Sequence, residues 1–259
     1  MGGSMSVWFC IPSARPADEV ARVLSKWRSM GYKIALWIDA GSEEVSNPGK
    51  IWDRRIVGEY PGYAQAVNRL IANVMEFDSS ADWFVTGGDD TLPDPNKTAD
   101  DIAAECTEHF GGPLALYGHN RPQNTFGVMQ PTGDRFAGGS IDRIAGSPWM
   151  GRGWCLRANQ GKGPLWPEFQ HMFVDECLKR TAEKLGVYLM RPDLTHFHQH
   201  YLRASDAINA PAVPKPVPEH LVQWNSPEHW NDMKAIFQRL EAEDFASCMP
   251  LVGFMAIPV

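Results

Sequence analysis

Apolar runs of strand character alternate with stretches of helical spacing through the first half of this chain. That alternation limits the folds open to it more than any single motif does. Residues 7–11 (VWFCI) form a continuous apolar run that stops at Pro12. Residues 17–30 follow with Val20, Val23, Leu24 and Trp27 at helical spacing, and Gly31 stands where a helix C-cap would. Residues 33–38 (KIALWI) read as a second buried strand ending at Asp39. Residues 63–75 (YAQAVNRLIANVM) read as a helix with Ala66, Leu70 and Val74 on one stripe, and residues 83–85 as the next strand. A helix over 97–109 and a short strand over 114–117 continue the series. The pattern implies an α/β fold, Rossmann-like, with a mainly parallel sheet flanked by helices. Ligands of such sheets bind outside the carboxyl ends of the strands. The polar strand ends at Ser13 to Arg15, at Asp39, and at Asp89 with Asp90 therefore mark the candidate site.

The second half is less regular. Residues 118–167 are rich in Gly, Pro, Asn and Gln, and loops that long inside a domain usually carry function. Helical spacing returns over 168–185 and ends at Gly186, and 187–190 is strand-like. A Pro-studded stretch at 211–218 reads as a stiff connector. It leads to a last helix over 227–245, capped by Ser226 with Pro227 in its first turn. The expected organisation is an expression scar at 1–4, one α/β domain over 5–203, a Pro-rich connector over 204–225 and a helical extension over 226–259.

Composition narrows the classes further. A chain of 259 residues with 44% hydrophobic content can bury a real core. Its net charge of −7 argues against a protein that coats nucleic acid by bulk electrostatics. The five cysteines, Cys10, Cys106, Cys155, Cys177 and Cys248, are scattered with no CxxC pair, which fits reduced thiols. No signal peptide is legible and no apolar stretch is long enough to span a bilayer, so a cytoplasmic location is expected. Ten tryptophans exceed what such a core requires, so some are expected to line a surface that stacks on something flat.

Residues 82–93 (DWFVTGGDDTLP) carry the clearest chemistry. Adjacent Asp89 and Asp90 cannot both stay ionised cheaply without a cation, and hard oxygen ligands at a strand end suit Mg²⁺ or Mn²⁺ with a phosphate-bearing substrate. Downstream, His196, His198 and His200 alternate, which would set all three on one face of a strand. Such a face suits a zinc site as readily as a single manganese ligand. Between Arg143 and Pro167 there is no Asp or Glu, while Arg143, Arg152, Arg157 and Lys162 alternate with Trp149, Trp154 and Trp166. Cations and indoles in that mixture suit a nucleic-acid acceptor, and equally a carbohydrate or peptide cleft.

Taken in order, these residues resemble the compact GT-A glycosyltransferases, especially the family-two-like branch, from about Val7 to His200. Pro12 to Pro16 resembles the loop that holds the nucleotide, and Asp39 stands where the family keeps an acid for the donor's base or ribose. Gly62 and Asn68 in PGYAQAVN resemble the Gly and Asn on the helix beneath the donor. Gly88-Asp89-Asp90 falls where the family has its Asp-x-Asp metal motif, with Gly88 in place of the first acid. Asp175-Glu176 resembles the family's pair containing the catalytic base, and His198 the late histidine that completes the metal site.

The resemblance implies transfer of a sugar from a nucleotide-diphosphate sugar, a UDP-sugar favoured, to an acceptor hydroxyl. Asp90 and His198 would hold Mn²⁺ or Mg²⁺, while Pro12, Ser13, Arg15, Asp39, Gly62, Asn68 and Asp89 would bind the donor. Asp175 or Glu176 would be the base of an inverting displacement, with retention left open. Trp149, Arg152, Trp154, Arg157 and Trp166 would bind the acceptor. The absence of membrane segments resembles phage-encoded transferases that decorate hydroxymethylated pyrimidines in DNA, which would place the protein in a host cytoplasm. The alternatives are a glycan or peptide acceptor, a zinc hydrolase built on the three histidines, and a non-catalytic sugar or nucleotide binding module.

Overall fold

The computed structural model describes residues 6–40, 51–111, 125–136 and 138–250. Residues 1–4, the expected strand over 114–117 and residues 251–259 fall outside the described residues. The strands are β1 (Ser6–Ser13), β2 (Lys33–Asp39), β3 (Arg54–Gly58), β4 (Ala81–Val85), β5 (Thr91–Leu92), β6 (Val128–Pro131), β7 (Trp149–Gly151), β8 (Tyr188–Arg191) and β9 (Phe197–His198). The helices are α1 (Ala17–Ser29), α2 (Tyr63–Phe77), α3 (Ala99–Phe110), α4 (Arg152–Arg157), α5 (Val174–Lys184) and α6 (Pro227–Ala242).

Among the described residues the main sheet has seven strands in the order β3-β2-β1-β4-β7-β6-β8. The first four are parallel, as the alternating sequence requires. β7 runs antiparallel to both neighbours, and β8 lies parallel to β6. The side-chain period of two sends Trp8 and Cys10 of β1 to one face and Val7, Phe9 and Ile11 to the other. On the first face they meet α2, α5 and α6 through Val67, Leu70, Leu178, Met233 and Phe237. On the second they meet α1 and α3 through Val20, Leu24, Trp27 and Ile102. The fold is thus α/β, with a mostly parallel sheet between helices. No helix of the described residues is long and apolar enough to cross a membrane.

Several local expectations need correction. β1 does not stop at Pro12 but runs on to Ser13, with Pro12 opposite Trp37. β3 is an edge strand whose alternating half-buried and exposed residues, opening on Arg54-Arg55, hide it in the sequence. α3 starts at Ala99 rather than 97, because Thr98 and Asp101 form a reciprocal capping box there. The helix expected over 168–185 begins only at Val174, since Phe173 takes a left-handed conformation (φ 65°) at its N-cap. The last helix ends at Ala242, and Phe245 also has positive φ (55°). Ser226 caps α6 as read, its hydroxyl accepting from the His229 amide.

Candidate functional site

β1 and β4 are neighbours in the sheet, so the segments leaving their carboxyl ends face each other. Ser13 Oγ donates to Asp89 Oδ2 at 2.6 Å, and the Arg15 amide donates to Ser13 Oγ at 3.2 Å. Arg15 then bridges both acids, with Nε on Asp89 Oδ1 at 2.7 Å and Nη2 on Asp90 Oδ2 at 3.1 Å. The guanidinium supplies the positive charge that two adjacent carboxylates demand.

The other oxygen of Asp90 meets His198 from about a hundred residues downstream, Oδ1 to Nε2 at 3.0 Å. Three contacts deliver that imidazole. β5 and β9 pair antiparallel with Thr91 opposite His198, the Gln199 amide donates to the Asp90 carbonyl at 2.9 Å, and the Thr195 amide donates to Asp94 Oδ2 at 2.7 Å. Burial acts to raise the Asp90 carboxyl, but the His198 hydrogen bond and the charges of His198 and Arg15 outweigh it and leave the pKa at about 2. Asp90 is therefore ionised at neutral pH. A Cβ at Gly88 would come within 2.4 Å of Asp90 Oδ1, so a side chain there would force that carboxylate to shift.

The turn at residues 86–90 is held from both sides. Tyr63, at the start of α2, places its hydroxyl 2.9 Å from Thr86 Oγ1 and donates to the Gly87 carbonyl at 3.2 Å. Behind the turn, Ser147 Oγ donates to the Thr86 carbonyl at 3.0 Å and lies 2.7 Å from His196 Nδ1. Because the Ser147 proton goes to that carbonyl, His196 must donate from Nδ1, which fixes its tautomer. Burial holds the His196 imidazole neutral, its pKa lowered to about 3.

Asp175 enters from the first turn of α5. Its carboxyl is raised chiefly by burial and accepts from the Glu176 amide at 2.9 Å. Burial raises the Tyr63 hydroxyl, and the charges of Asp175 and Asp89 both add to that rise. Glu176 faces along its own helix, 3.8 Å from Arg180. On the far side, the Tyr60 hydroxyl is raised by burial and then by Tyr63, Asp39 and Asp89, which ties Asp39 at the end of β2 into the same cleft. Burial raises the Asp39 carboxyl as well.

The structure thus brings Ser13, Arg15, Asp89, Asp90 and His198 into direct contact at one end of the sheet, with Pro12 in the adjoining strand end and Asp39 at the end of neighbouring β2. Asp175 is linked to them only through the charge it exerts on Tyr63. Other expected residues are spent elsewhere. The buried Asn68 amide clamps the Leu165 backbone, donating to its carbonyl at 2.8 Å and accepting from its amide at 3.1 Å. Gly62 caps α2 at φ 93°, where the Tyr63 amide donates to the Gln170 carbonyl and a Cβ would come within 3.0 Å of Gln170 Cα. Both join α2 to the loop before α5.

The expected acceptor surface is not a surface. Trp149 and Trp154 are 0% exposed and Trp166 5%, all within the two cores. Arg152 donates to the Ala81 and Met75 carbonyls at the amino end of β4, away from the acids, and Arg157 lies over Phe126. The three histidines do not act as one set. His196 is buried edge-on to Trp27, while His198 faces Asp90 and stands edge-on to His200 with ring centroids 5.0 Å apart. His200 in turn stacks on Tyr201, and its pKa is lowered to about 4 by burial and then by His198. Among the described residues no three His, Cys, Asp or Glu side chains gather as a metal site, which removes the basis for a zinc triad. A concavity lined by Trp8, Lys33 and Phe77 lies at the amino ends of β1 and β2, the wrong end of a parallel sheet for ligands.

Sequence reasoning missed Tyr63, Thr86, Asp94 and Ser147, which position the site. Of these only Tyr63, one residue after the helix-capping Gly62, carried any signal.

No family model and no curated protein matches this chain. Among solved structures 35 chains match. One is a protein of Desulfovibrio desulfuricans G20 described provisionally as a nucleotide-diphospho-sugar transferase, 11% identical over 95% of this chain and 99% of that one, with a TM-score of 0.35. So loose a likeness says nothing of chemistry, which has to be read from the side chains.

Proposed function

We propose that this protein is a metal-dependent glycosyltransferase that uses a nucleotide-diphosphate sugar, a UDP-sugar in the first instance. The observation that carries the reading is the meeting of Ser13, Arg15, Asp89 and Asp90 at two adjacent parallel strand ends with His198 closing over them and Asp175 beyond Tyr63. The donor set fits a divalent ion. Two neighbouring donors on an octahedral Mg²⁺ or Mn²⁺ with bonds of ~2.1 Å lie roughly 3 Å apart. Asp90 Oδ1 and His198 Nε2 are 3.0 Å apart. One carboxylate and one imidazole leave the remaining positions to diphosphate oxygens and water, and the mixed set leans towards Mn²⁺. Such an ion, when bound, neutralises charge on the departing diphosphate.

The chain's own groups supply the rest. Asp89, pinned by Ser13 and Arg15, fixes the strand-end loop against which a donor would lie. We favour Asp175 over Glu176 as the base that takes the acceptor proton, because burial raises its carboxyl and its charge acts on Tyr63, while Glu176 lies 3.8 Å from Arg180. One such base suits an inverting displacement. A hydroxymethylpyrimidine acceptor in DNA loses its main support, because the tryptophans that suggested it are core residues.

The test is thermal stability with UDP and other nucleoside diphosphates, with and without Mn²⁺. Ligand at a hundred times Kd adds about 2.7 kcal/mol to native stability, roughly 5–10 °C for a domain of this size. The expected rise requires metal and is lost in Asp90→Ala. The absence of any metal-dependent rise across the nucleotides would overturn the reading.

A further inference from the structure

With the expected tryptophans buried, the accessible aromatic surface beside the site lies elsewhere. Trp224, from the segment before α6, is half-buried and stands edge-on to Tyr60 with ring centroids 5.7 Å apart. It also meets His171 at 6.0 Å and His229 at 5.2 Å. These four rings come from three separate places: the β3–α2 connection, the loop four residues before Asp175, and the start of α6. The Tyr63 amide donates to the Gln170 carbonyl at 2.6 Å and the Tyr63 hydroxyl to the Gly87 carbonyl at 3.2 Å. Those bonds set the segments that carry Tyr60 and His171 beside the turn that leads to Asp89 and Asp90.

Its charge is predominantly negative. Segments 58–68, 167–173 and 219–232 contain Glu59, Glu168, Glu219, Glu228 and Asp232 and no Lys or Arg. The nearby cations are partly engaged, Arg239 with Glu168 at 2.7 Å and Lys234 over the Trp230 ring. Burial lowers both His171 and His229, so these rings are neutral at pH 7 and add no cation. The excess of carboxylates weighs against a polyanion. An uncharged sugar suits the wall, because the electron-rich face of an aromatic ring attracts the C–H face of a pyranose.

We propose that the wall of Tyr60, His171, Trp224 and His229 is the acceptor subsite and takes a neutral saccharide stacked on Trp224. The proposal rests on the transferase reading and names the acceptor class for the same cleft. The experiment has two arms on the full chain. The first is the nucleoside diphosphate thermal shift with Mn²⁺. The second is saturation-transfer NMR with methyl glycosides of glucose, galactose and N-acetylglucosamine, and with a hydroxymethylcytosine oligonucleotide, on wild type, Trp224→Ala and Trp224→Phe. Expected is saturation of glycoside C–H protons that falls about ten-fold or more in Trp224→Ala. Trp224→Phe keeps most of it, the nucleotide shift is equal in all three proteins, and the oligonucleotide gives no signal. A glycoside signal unchanged in Trp224→Ala overturns the proposal, as does none with any glycoside, or binding of the oligonucleotide instead. Loss of the nucleotide shift in wild type is the separate failure of the transferase reading, since the glycoside arm is scored without nucleotide.

Discussion

Asn68→Ala separates two roles for one residue. If Asn68 contacts the donor, its loss weakens nucleotide binding and leaves stability alone. The structure instead commits both ends of its amide to Leu165, at 2.8 and 3.1 Å, within a site that excludes solvent. Truncation removes two partners at once and strands the Leu165 N–H and C=O, themselves buried with a side chain only 2% exposed. A buried group left without its partner costs about 1–3 kcal/mol. Two such groups, partly relieved by relaxation or an entering water, give about 3 kcal/mol for the substitution. For a domain of this size that is a fall in Tm of roughly 6–12 °C.

The nearby backbone leaves little room for repair. Gly163 has φ 116°, and a Cβ there would come within 2.6 Å of Asn68 Cγ, so the loop is already drawn onto the amide. Differential scanning calorimetry and urea titration measure the loss, and hydrogen exchange at the Leu165 amide reads it at the residue concerned. The expected result is a large fall in Tm and faster exchange at Leu165, with nucleotide affinity at low temperature within a few-fold of wild type. An unchanged Tm with nucleotide binding abolished would refute the clamp and restore the donor contact.

Asp175→Asn should lower transfer by about 10²–10⁴ while leaving nucleotide binding intact, as removal of a general base does; unchanged transfer in a steady-state assay would eliminate Asp175. Because burial raises this carboxyl, kcat/KM should fall as pH drops through a pKa above the ordinary carboxylate range. A wild-type profile flat down to pH 4 would contradict that. Arg203→Met should destabilise by about 3–5 kcal/mol in urea titration, since it leaves Asp134 charged without its partner. The pair is 3% and 4% exposed, and Asp134 also accepts from the Asn209 amide at 3.0 Å. A loss below 1 kcal/mol would mean that solvent reaches Asp134.

What the sequence disclosed follows from how local each signal is. β1, β2 and β4 are buried on both faces, so they appear as unbroken apolar runs, and α1 and α2 show clean apolar stripes. β3 is wet on its outer edge and β7 is three residues long, so neither leaves a pattern a window can detect. Asp89 and Asp90 were legible because few folds need adjacent carboxylates at a strand end, whereas Arg15 and His198 were given their roles only through the resemblance, which put Arg15 in a donor loop and not on the acids it bridges. Trp149, Trp154 and Trp166 misled for a physical reason. Alternating Trp and Arg looks the same whether the indoles face solvent or a core, and tertiary packing decides it: β7 pairing with β4 and β6 buries Trp149, while Trp154 of α4 and Trp166 pack into the core on the other face. The short helix start at Val174 was hidden in Phe173, whose left-handed conformation no aromatic residue advertises.

Gly88 stands where the resembled family has the first acid of its Asp-x-Asp motif, and the geometry gives the glycine a role of its own. A Cβ at 88 would come within 2.4 Å of Asp90 Oδ1, the oxygen that meets His198, so a side chain there requires the Asp90 carboxylate to shift. The adjacent acids then divide the work, Asp89 turning to Ser13 and Arg15 while Asp90 turns to His198. Two carboxylates a few ångströms apart near a surface repel by about 4 kcal/mol at an effective dielectric of 20, and Arg15 bridging both offsets that cost. Arg15 is thus the resting counter-ion of the site. In the proposed reading Asp90 Oδ1 and His198 would hold the cation while Arg15 keeps Oδ2, and the two positive charges would offset that of a diphosphate.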